Sequence, residues 1–319
     1  MKQVLEFEKP VAKLRQEIAD ARVKLESKPN EKLEKQIAEL ERKADALQRD
    51  IHENLSPWQR VQISRHPGRP YMLDHVKNIC DEFVEIHGDR HIGDDNAMPA
   101  GFATIGGQRV VIIGHQKGRD TKENLLRNFG SAHPEGYRKA LRLMRMAEKF
   151  NLPVVTLIDT PGAFPGIGAE ERNIAEAIAF NLREMMTLRT PVVAVVIGEG
   201  GSGGALGIGI ADRVLMMENA YYSVISPEGC AAILWKHREH APEAASALKL
   251  SAQDLSQLGI IDGLIPEPLG GAHNDPEAAA ESLKKSILEA IAELVKIPTT
   301  ELLEKRYLKF RALGQYTEA

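Results

Sequence analysis

Two glycine-rich turns, each directly after an apolar run, are where the backbone of this 319-residue chain could do chemistry. The first glycine-rich turn is Asp159–Gly168 (DTPGAFPGIG) and the second is Gly198–Leu206 (GEGGSGGAL). Glycine allows a close approach of the backbone to a ligand. The second turn leads into a predicted short helix, so N–H groups near Gly204 and Ala205 would lack helical partners at the positive end of the helix dipole. We predict an anion or oxyanion site made of backbone groups.

Neither turn supplies an obvious nucleophile together with a base. Turns that offer backbone donors but no such side-chain pair favour a reaction in which negative charge on an enolate or urea oxygen is stabilised, while a cofactor moves the proton.

The second glycine-rich turn also matches two other motifs. Gly198–Gly203 fits the GxGxxG dinucleotide pattern with Glu218 at a suitable distance, but the following segment is glycine-rich and lacks the pattern of a long crossover helix. Gly200–Gly204 fits the GxSxG nucleophile pattern, but no downstream histidine has a recognisable catalytic setting. Nucleotide binding and serine hydrolysis therefore stay as alternatives, beside the simpler interpretation that Ser202 is a small residue in a tight turn.

Two further patterns concern phosphate and metal. Asp159–Gly162 resembles the DxxG of GTPases, but the chain has no GxxxxGK[ST] phosphate loop, which excludes that class. A histidine- and aspartate-rich segment could bind a metal or could be a solvated loop, and we expect the loop. Its residues are His87, Asp89, His91, Asp94 and Asp95.

The elements that must position the two turns are those of an α/β protein. Continuous apolar runs predict strands covered on both faces, and 3.6-residue periodicity predicts helices. We predict a β-hairpin of Gly101–Ile105 and Gln108–Gly114 around Gly106-Gly107. Further strands are predicted at Pro153–Asp159, Pro191–Gly198, Arg213–Met217 and Ile261–Pro266. Helices are predicted at Glu170–Leu188, from the second turn to about Ala211, and at Pro276–Leu294. Short helices are predicted from Ser56 to about Gly88.

Residues 1–55 form a separate, highly charged segment with 12 basic and 12 acidic residues. Apolar residues at alternating three- and four-residue steps predict two helices, with the break at Ser27–Asn30. We predict an antiparallel hairpin, which is either a docking arm for another subunit or a hairpin that lies on its own domain. Residues 56–319 form the second predicted domain.

Composition excludes several classes of protein. A net charge of −4 argues against binding nucleic acid, and two distant cysteines exclude a disulfide scaffold and a four-cysteine zinc site. No apolar run reaches the ~18 residues of a membrane span, and the start does not resemble a signal peptide. We expect no membrane association, no metal in this chain, and a cytoplasmic location.

Six segments in order resemble one family: the alpha subunit of the carboxyltransferase component of bacterial-type acetyl-CoA carboxylase. With the N-terminal hairpin, the resemblance covers nearly the whole chain. The segments are GHQKGR (Gly114–Arg119), PEGYRKALRLM (Pro134–Met144), IDTPGAFPGIGAEER (Ile158–Arg172), GEGGSGGAL (Gly198–Leu206), YSVISPEGCAAILW (Tyr222–Trp235) and IPEPLGGAH (Ile265–His273).

The resemblance implies a crotonase-like fold (ClpP/crotonase superfamily), a superhelix of repeated ββα units preceded by the helical hairpin. It implies transfer of a carboxyl group from carboxybiotin to acetyl-CoA, giving malonyl-CoA for fatty acid synthesis. In this family the biotin ureido oxygen is held by backbone N–H groups, which here correspond to Gly204 and Ala205. The residues implied to line the biotin site are Gly162, Ala163, Pro165, Gly166 and Gly203.

The resemblance also implies partners. The first is a beta subunit that bears a zinc ribbon and the acetyl-CoA oxyanion hole and that forms an alpha2beta2 assembly with this chain. The others are a biotin carboxyl carrier protein, which holds the biotin covalently, and biotin carboxylase. Lys117, Arg119 and Arg127 are candidates for contact with CoA or the carrier, or are solvated interface charges. A non-catalytic scaffold is the alternative function, and the intact glycines of both turns argue against it.

Overall fold

The structure, a computed structural model, describes residues 4–314. Parts of the two predicted domains, residues 1–3 and 315–319, lie outside the described residues. Three short 3₁₀ segments aside, the helices are α1 (Lys9–Ser27), α2 (Glu31–Glu53), α3 (Pro57–Ser64), α4 (Met72–Ile79), α5 (Thr121–Leu126), α6 (Pro134–Lys149), α7 (Ile167–Glu171), α8 (Ile174–Thr187), α9 (Ser202–Leu206), α10 (Pro227–Leu234), α11 (Ala241–Leu248), α12 (Ala252–Gln257), α13 (Pro276–Leu294) and α14 (Thr299–Arg311).

The strands form one mixed sheet that agrees with the predicted α/β class. They are β1 (Glu82–Glu85), β2 (Ala100–Ile105), β3 (Gln108–Gly114), β4 (Val154–Thr160), β5 (Val192–Gly201), β6 (Arg213–Met217), β7 (Tyr221–Ser223) and β8 (Gly263–Ile265). The order is β1-β2-β3-β4-β5-β6-β8, with β7 paired to the end of β5. Strands β1 to β3 are antiparallel, and all later pairings are parallel.

The predicted core strands are confirmed. Every residue of β4 and β5 is buried, as their continuous apolar runs predict for strands covered on both faces. The predicted hairpin is β2–β3, which turns through Gly106 and Gly107 at positive φ. Two units have the ββα order that the resemblance implied, namely β2-β3 before α5 and α6, and β6-β7 before α10.

Three local predictions are wrong. The helix predicted at Glu170–Leu188 is two helices, α7 and α8, because Asn173 adopts a left-handed conformation between them. The helix after the second glycine-rich turn ends at Leu206 rather than near Ala211. The predicted helical region Ser56–Gly88 also contains the edge strand β1, whose four residues, EFVE, do not alternate between apolar and charged and so give no strand pattern in the sequence.

The N-terminal hairpin forms as predicted, with α1 and α2 antiparallel about a break in which Asn30 caps α2. The apolar stripes face each other and form a small cluster apart from the main core; its buried members are Ile18, Ala21, Ile37 and Ala44. At its base the hairpin borders the core across a cavity of about 620 Å³, lined by residues of both, among them Val11, Gln48 and Leu269. The apolar stripes of α1 and α2 are buried against each other, and the base of the hairpin lies beside the core of the following domain. A docking arm for another subunit and a hairpin that lies on its own domain therefore both stay open as alternatives.

Within residues 4–314, no helix combines the length and the apolar character that crossing a membrane requires.

Candidate functional site

Three adjacent parallel strands, β3, β4 and β5, end at the same edge of the sheet, and the two glycine-rich turns lie there. Asp159 precedes the last residue of β4, Glu199 lies near the end of β5, and Lys117 follows β3 by three residues. In open α/β sheets, ligands bind at the carboxyl ends of the strands. The parallel order therefore brings residues distant in sequence to one place.

Lys117 connects the two turns. Its Nζ donates to Asp159 Oδ1 and to Glu199 Oε2, each at 2.6 Å. Asp159 Oδ1 also accepts the backbone N–H of Glu199 at 2.9 Å. All three side chains are buried. Asp159, the first residue of the first turn, and Glu199, the second residue of the second turn, are thus joined through one ammonium group.

The charges of this cluster support one another. Burial lowers the pKa of Lys117, but the two carboxylates more than compensate, so its net pKa is raised and the ammonium stays charged. Burial would raise the pKa of Glu199, yet Lys117 and Arg65 bring it down to about 2. Burial raises the pKa of Asp159, and Lys117 offsets this only in part. No carboxyl group here has the free, exposed position of a general base.

Arg65, which follows α3, extends the cluster. Its Nε donates to Glu199 Oε1 at 2.7 Å, and its Nη1 donates to Glu228 Oε1 at 2.5 Å. Tyr221 donates its hydroxyl to Glu199 Oε1 at 2.8 Å and accepts from Arg65 Nη2 at 3.0 Å. Glu199 therefore connects the second turn to Tyr221 of β7 and to Arg65 after α3, and Arg65 in turn contacts α10. Glu199, Arg65 and Tyr221 were not predicted from the sequence as site residues. The available signal for Glu199 was an acidic residue at the end of a fully apolar strand.

The two turns touch each other backbone to backbone. A Cβ placed on Gly204 would lie 2.5 Å from both Ala163 N and the carbonyl carbon of Gly162. Any side chain at residue 204 would push the turns apart, so glycine is required there by close approach.

The start of α9 decides which N–H groups are free. In a helix that begins at Ser202, the N–H groups of Ser202, Gly203 and Gly204 precede the first intrahelical bond. Ala205 is the first residue whose N–H can reach the carbonyl four residues back, that of Gly201. Gly203 is half-buried, while Gly204 and Ala205 are buried. Gly204 is thus among the residues whose N–H groups precede the first intrahelical bond, and the assignment of Gly204 and Ala205 as donors to a ligand stays a prediction.

The first glycine-rich turn is held by its own hydrogen bonds. Thr160 Oγ1 accepts from Gly162 N at 3.1 Å and donates to Gly162 O at 2.8 Å, and Phe164 N donates to Ala132 O at 3.0 Å. Gly162, Ala163 and Gly166 are half-buried and Pro165 is exposed. The residues predicted to line a ligand site are therefore reachable from outside.

The three basic candidates occupy different settings. Lys117 is buried and ion-paired, so it is neither a solvated charge nor open to CoA, which corrects the prediction for this residue. Arg119 pairs with Asp74 and donates to the Arg69 carbonyl at 2.9 Å. Arg127 donates to the Asn96 carbonyl at 2.8 Å. Contact of Arg119 and Arg127 with CoA or the carrier stays a prediction.

The structure gives little support to the dinucleotide-binding and nucleophile motifs of the second turn. Helix α9 has five residues, too short for a dinucleotide crossover helix. Ser202 is exposed at φ 53°, as in a nucleophile turn, but no hydrogen bond described for residues 4–314 joins it to a histidine. His273 stacks on His66 with ring centroids 3.9 Å apart, beside the hairpin base.

The aspartates of the predicted loop cap backbone groups. Asp89 Oδ1 accepts three backbone N–H groups, from His91 to Gly93, and Asp95 accepts those of Ala97 and His133. Among residues 4–314, no group of three or more His, Cys, Asp and Glu side chains is arranged to hold a metal ion.

An apolar cavity of about 310 Å³ opens beside the second glycine-rich turn. Ser202 and Leu206 of α9 line one side, and Tyr222, Val224 and Phe310 are among the other lining residues. Val224 is exposed. The turn therefore adjoins an apolar surface.

Comparison with known proteins gives consistent matches. Residues 4–314 match the family described as acetyl co-enzyme A carboxylase carboxyltransferase-like. The chain is 54% identical to an acetyl-coenzyme A carboxylase carboxyl transferase subunit alpha from Chlorobium luteolum, covering 99% of this chain and 98% of that one. It is 52% identical to the protein of the same description from Thermus thermophilus, over 98% and 99% of the two chains.

Solved structures share the fold at low identity. A transcarboxylase 12S structure with methylmalonyl-coenzyme A bound matches with a TM-score of 0.57 at 19% identity, over 79% of this chain and 43% of that chain. A Pseudomonas malonate decarboxylase hetero-dimer matches with a TM-score of 0.59 at 16% identity, over 77% and 96%. This likeness in fold to a transcarboxylase and a malonate decarboxylase confirms the predicted crotonase-like fold.

Proposed function

Because this chain belongs to the family of acetyl-coenzyme A carboxylase carboxyl transferase alpha subunits, we propose that it forms the biotin side of a carboxyltransferase site. There, a carboxyl group passes from carboxybiotin on a carrier protein to acetyl-CoA, and malonyl-CoA results. The observation that carries the proposal is the contact of the two glycine-rich turns at Gly204, where backbone donors are present and the nearby charged side chains are already paired.

The backbone around the turns is compatible with biotin. A Cβ on Gly162 would meet nothing within 4 Å, and one on Gly203 would meet only Ile178 Cδ1, at 3.7 Å. Space is thus open above the glycines nearest to the free N–H groups. A neutral ring with a carbonyl oxygen suits donors that are uncharged and rigidly held. Ala163, Pro165 and Gly166 would border this space.

Biotin, when bound, supplies the carboxyl group and a ureido oxygen on which negative charge develops. The role of this chain is to meet that charge with the N–H groups of Gly203 and Gly204, with Ala205 next to them at the positive end of α9. Fixed donors are worth more in a site from which water is excluded, and the apolar cavity at Leu206 and Val224 favours such exclusion. Lys117 would act through the turns, not on the ligand.

The proposed partners follow from the family. The name alpha subunit implies at least one other subunit, and we propose a beta subunit with a zinc ribbon that provides the acetyl-CoA oxyanion hole, in an alpha2beta2 assembly. Biotin carboxyl carrier protein and biotin carboxylase would deliver the carboxyl group. Both cysteines are free thiols, which is compatible with the reducing cytoplasm.

Co-expression with the beta subunit tests this function. The purified complex should transfer the carboxyl group between malonyl-CoA and free biotin, whereas the chain alone should have negligible activity because the reaction needs two oxyanion sites and this chain provides one. A complex of correct mass without this activity would favour the scaffold alternative. A chain that is as active alone as with its partner would contradict the division of the site.

A further inference from the structure

The ammonium group of Lys117 is shared by two carboxylates from different strands. Asp159 comes from β4 and begins the first glycine-rich turn, while Glu199 comes from β5 and lies within the second. The pairing of β4 with β5 is irregular at this point: Ile158 pairs with Val196, but Thr160 pairs with Gly200. The regular register is therefore interrupted at Asp159 and resumes at Thr160 and Gly200, so the two carboxylates lie at an irregular step of the sheet.

Without Lys117 the two carboxylates would be an unfavourable pair. Both are buried, and the charge of Glu199 raises the pKa of Asp159. Two like charges in a low-dielectric interior repel strongly, so that either they separate or one takes up a proton. A single buried ammonium at 2.6 Å from each removes this repulsion and joins them.

The other members of the cluster hold Glu199 from the opposite side. Arg65 and Tyr221 both contact Glu199 Oε1, which leaves Oε2 for Lys117. Both oxygens of this carboxylate are thereby assigned, and its position is defined by three donors on separate elements. Removal of the ammonium would leave the Asp159 side chain with one hydrogen bond, from the backbone N–H of Glu199 at 2.9 Å, so Asp159 and the first turn would be the less firmly held side.

We propose that Lys117 is a positioning residue that sets the distance between the two glycine-rich turns, and with it the geometry of the backbone donors. This inference rests on the proposed function only for its effect on catalysis. A misplacement of about 1 Å in an active site can cost on the order of 10²-fold in rate. The effect should fall on kcat, because the turns meet the charge that develops during reaction rather than CoA itself.

The test is the Lys117→Met variant of the full chain, studied alone and with the beta subunit. We expect amide hydrogen exchange to become at least about tenfold faster within residues 160–168 and 199–206, since the tie that joins them is lost. In the complex, kcat for carboxyl transfer should fall about 10²-fold while KM for malonyl-CoA changes less than about threefold. Unchanged exchange at both turns would overturn the proposal.

Arg306→Met is the matched control. Arg306 is a buried cation that is paired with Asp212 near the start of β6 and donates to the carbonyls of residues 185, 188 and 190. It therefore lies at the end of the sheet opposite to the two glycine-rich turns. This variant should lose stability but keep wild-type exchange at the turns and wild-type kcat. The same change at the turns in both variants would mean that any buried cation has this effect, and would contradict a specific role for Lys117.

If Lys117→Met does not fold, Glu199→Gln tests the same connection with little change of shape. It removes one ion pair of Lys117 and one of Arg65, and exchange should increase within residues 199–206. Exchange at the wild-type rate there would again overturn the proposal. Wild-type complex without carboxyl transfer would contradict the proposed function instead, while the exchange data would still decide whether Lys117 joins the turns.

Discussion

The hydroxyl of Tyr137 on α6 donates a hydrogen bond to the carbonyl of Gly204 at 3.1 Å. That carbonyl belongs to the peptide group whose other side is the N–H of Ala205. Asn181 on α8 adds a second brace, because its amide donates to the carbonyls of Tyr137 and Gly207 at 3.0 and 2.9 Å. Helix α9 is short, so its orientation depends on these two buried side chains.

Tyr137→Phe should lower the free energy of unfolding by about 1 kcal/mol, since it leaves one buried carbonyl without this donor. Carboxyl transfer by the complex should slow less than tenfold, because Asn181 and the helix keep the turn in place. Urea unfolding and a malonyl-CoA assay measure the two effects. Tyr307→Phe, at an exposed tyrosine of α14, should change neither. A Tyr137→Phe protein with wild-type stability would show that this hydrogen bond contributes nothing.

Gly204→Ala should reduce kcat about 10²–10³-fold, the usual loss when an oxyanion donor is displaced. The added Cβ would meet the backbone of the first turn at 2.5 Å, and backbone atoms cannot move aside as a flexible side chain does. Gly93→Ala is the control, since a Cβ there meets nothing within 4 Å. Steady-state assays of both complexes provide the comparison, and a Gly204→Ala enzyme within tenfold of wild type would refute a donor site at the contact of the turns.

The sequence predicted the elements with a strong local signal. The all-apolar runs of β4 and β5, the Gly106-Gly107 hairpin and the Pro29 break between α1 and α2 each depend on a few neighbouring residues, and each is confirmed. The helix break at Asn173 was missed because a left-handed asparagine has no distinct sequence pattern.

The site was predictable only in part. The glycines of both turns were visible in the sequence, and their closeness follows from adjacent parallel strands. The role of Lys117 was not predictable, since its environment is built by Asp159 and Glu199, 42 and 82 residues further along the chain. A lysine in a polar segment has an exposed position by default, and only tertiary structure shows that it is buried between two carboxylates.

A second buried ion pair predicts how stability depends on pH. Glu267 accepts two bonds from Arg69, at 2.8 and 2.6 Å, and the N–H groups of Asn219 and Ala272. Burial would raise the pKa of Glu267, but Arg69 and these bonds lower it to about 2, below its ordinary value of 4.5. A carboxyl group with a lowered pKa contributes stability above its ordinary pKa and loses that contribution as pH falls toward 2.

Glu267→Gln should therefore lower the free energy of unfolding by roughly 3 kcal/mol at pH 7, and the difference from wild type should shrink to less than half by about pH 3. Chemical denaturation at pH 7, 4 and 3 measures this trend. Glu301→Gln, in an exposed pair with Lys305 on α14, should cost less than about 1 kcal/mol at every pH. A difference for Glu267→Gln that stays constant with pH would contradict the lowered pKa.

Ala44→Asp tests the N-terminal hairpin as a docking arm. Ala44 is fully buried between α1 and α2, and an unpaired carboxylate there costs several kcal/mol, more than a small separate cluster can tolerate. Circular dichroism should show a loss of helix equivalent to part of α1 and α2, while the main core keeps its melting temperature because the two apolar clusters are distinct. If the hairpin docks another subunit, the affinity for the beta subunit should fall at least about tenfold, as measured by titration calorimetry. The control is Glu39→Gln, in an exposed ion pair of α2 with Lys43, which should leave this affinity unchanged. Unchanged affinity with a disrupted hairpin would mean that the hairpin serves only its own domain.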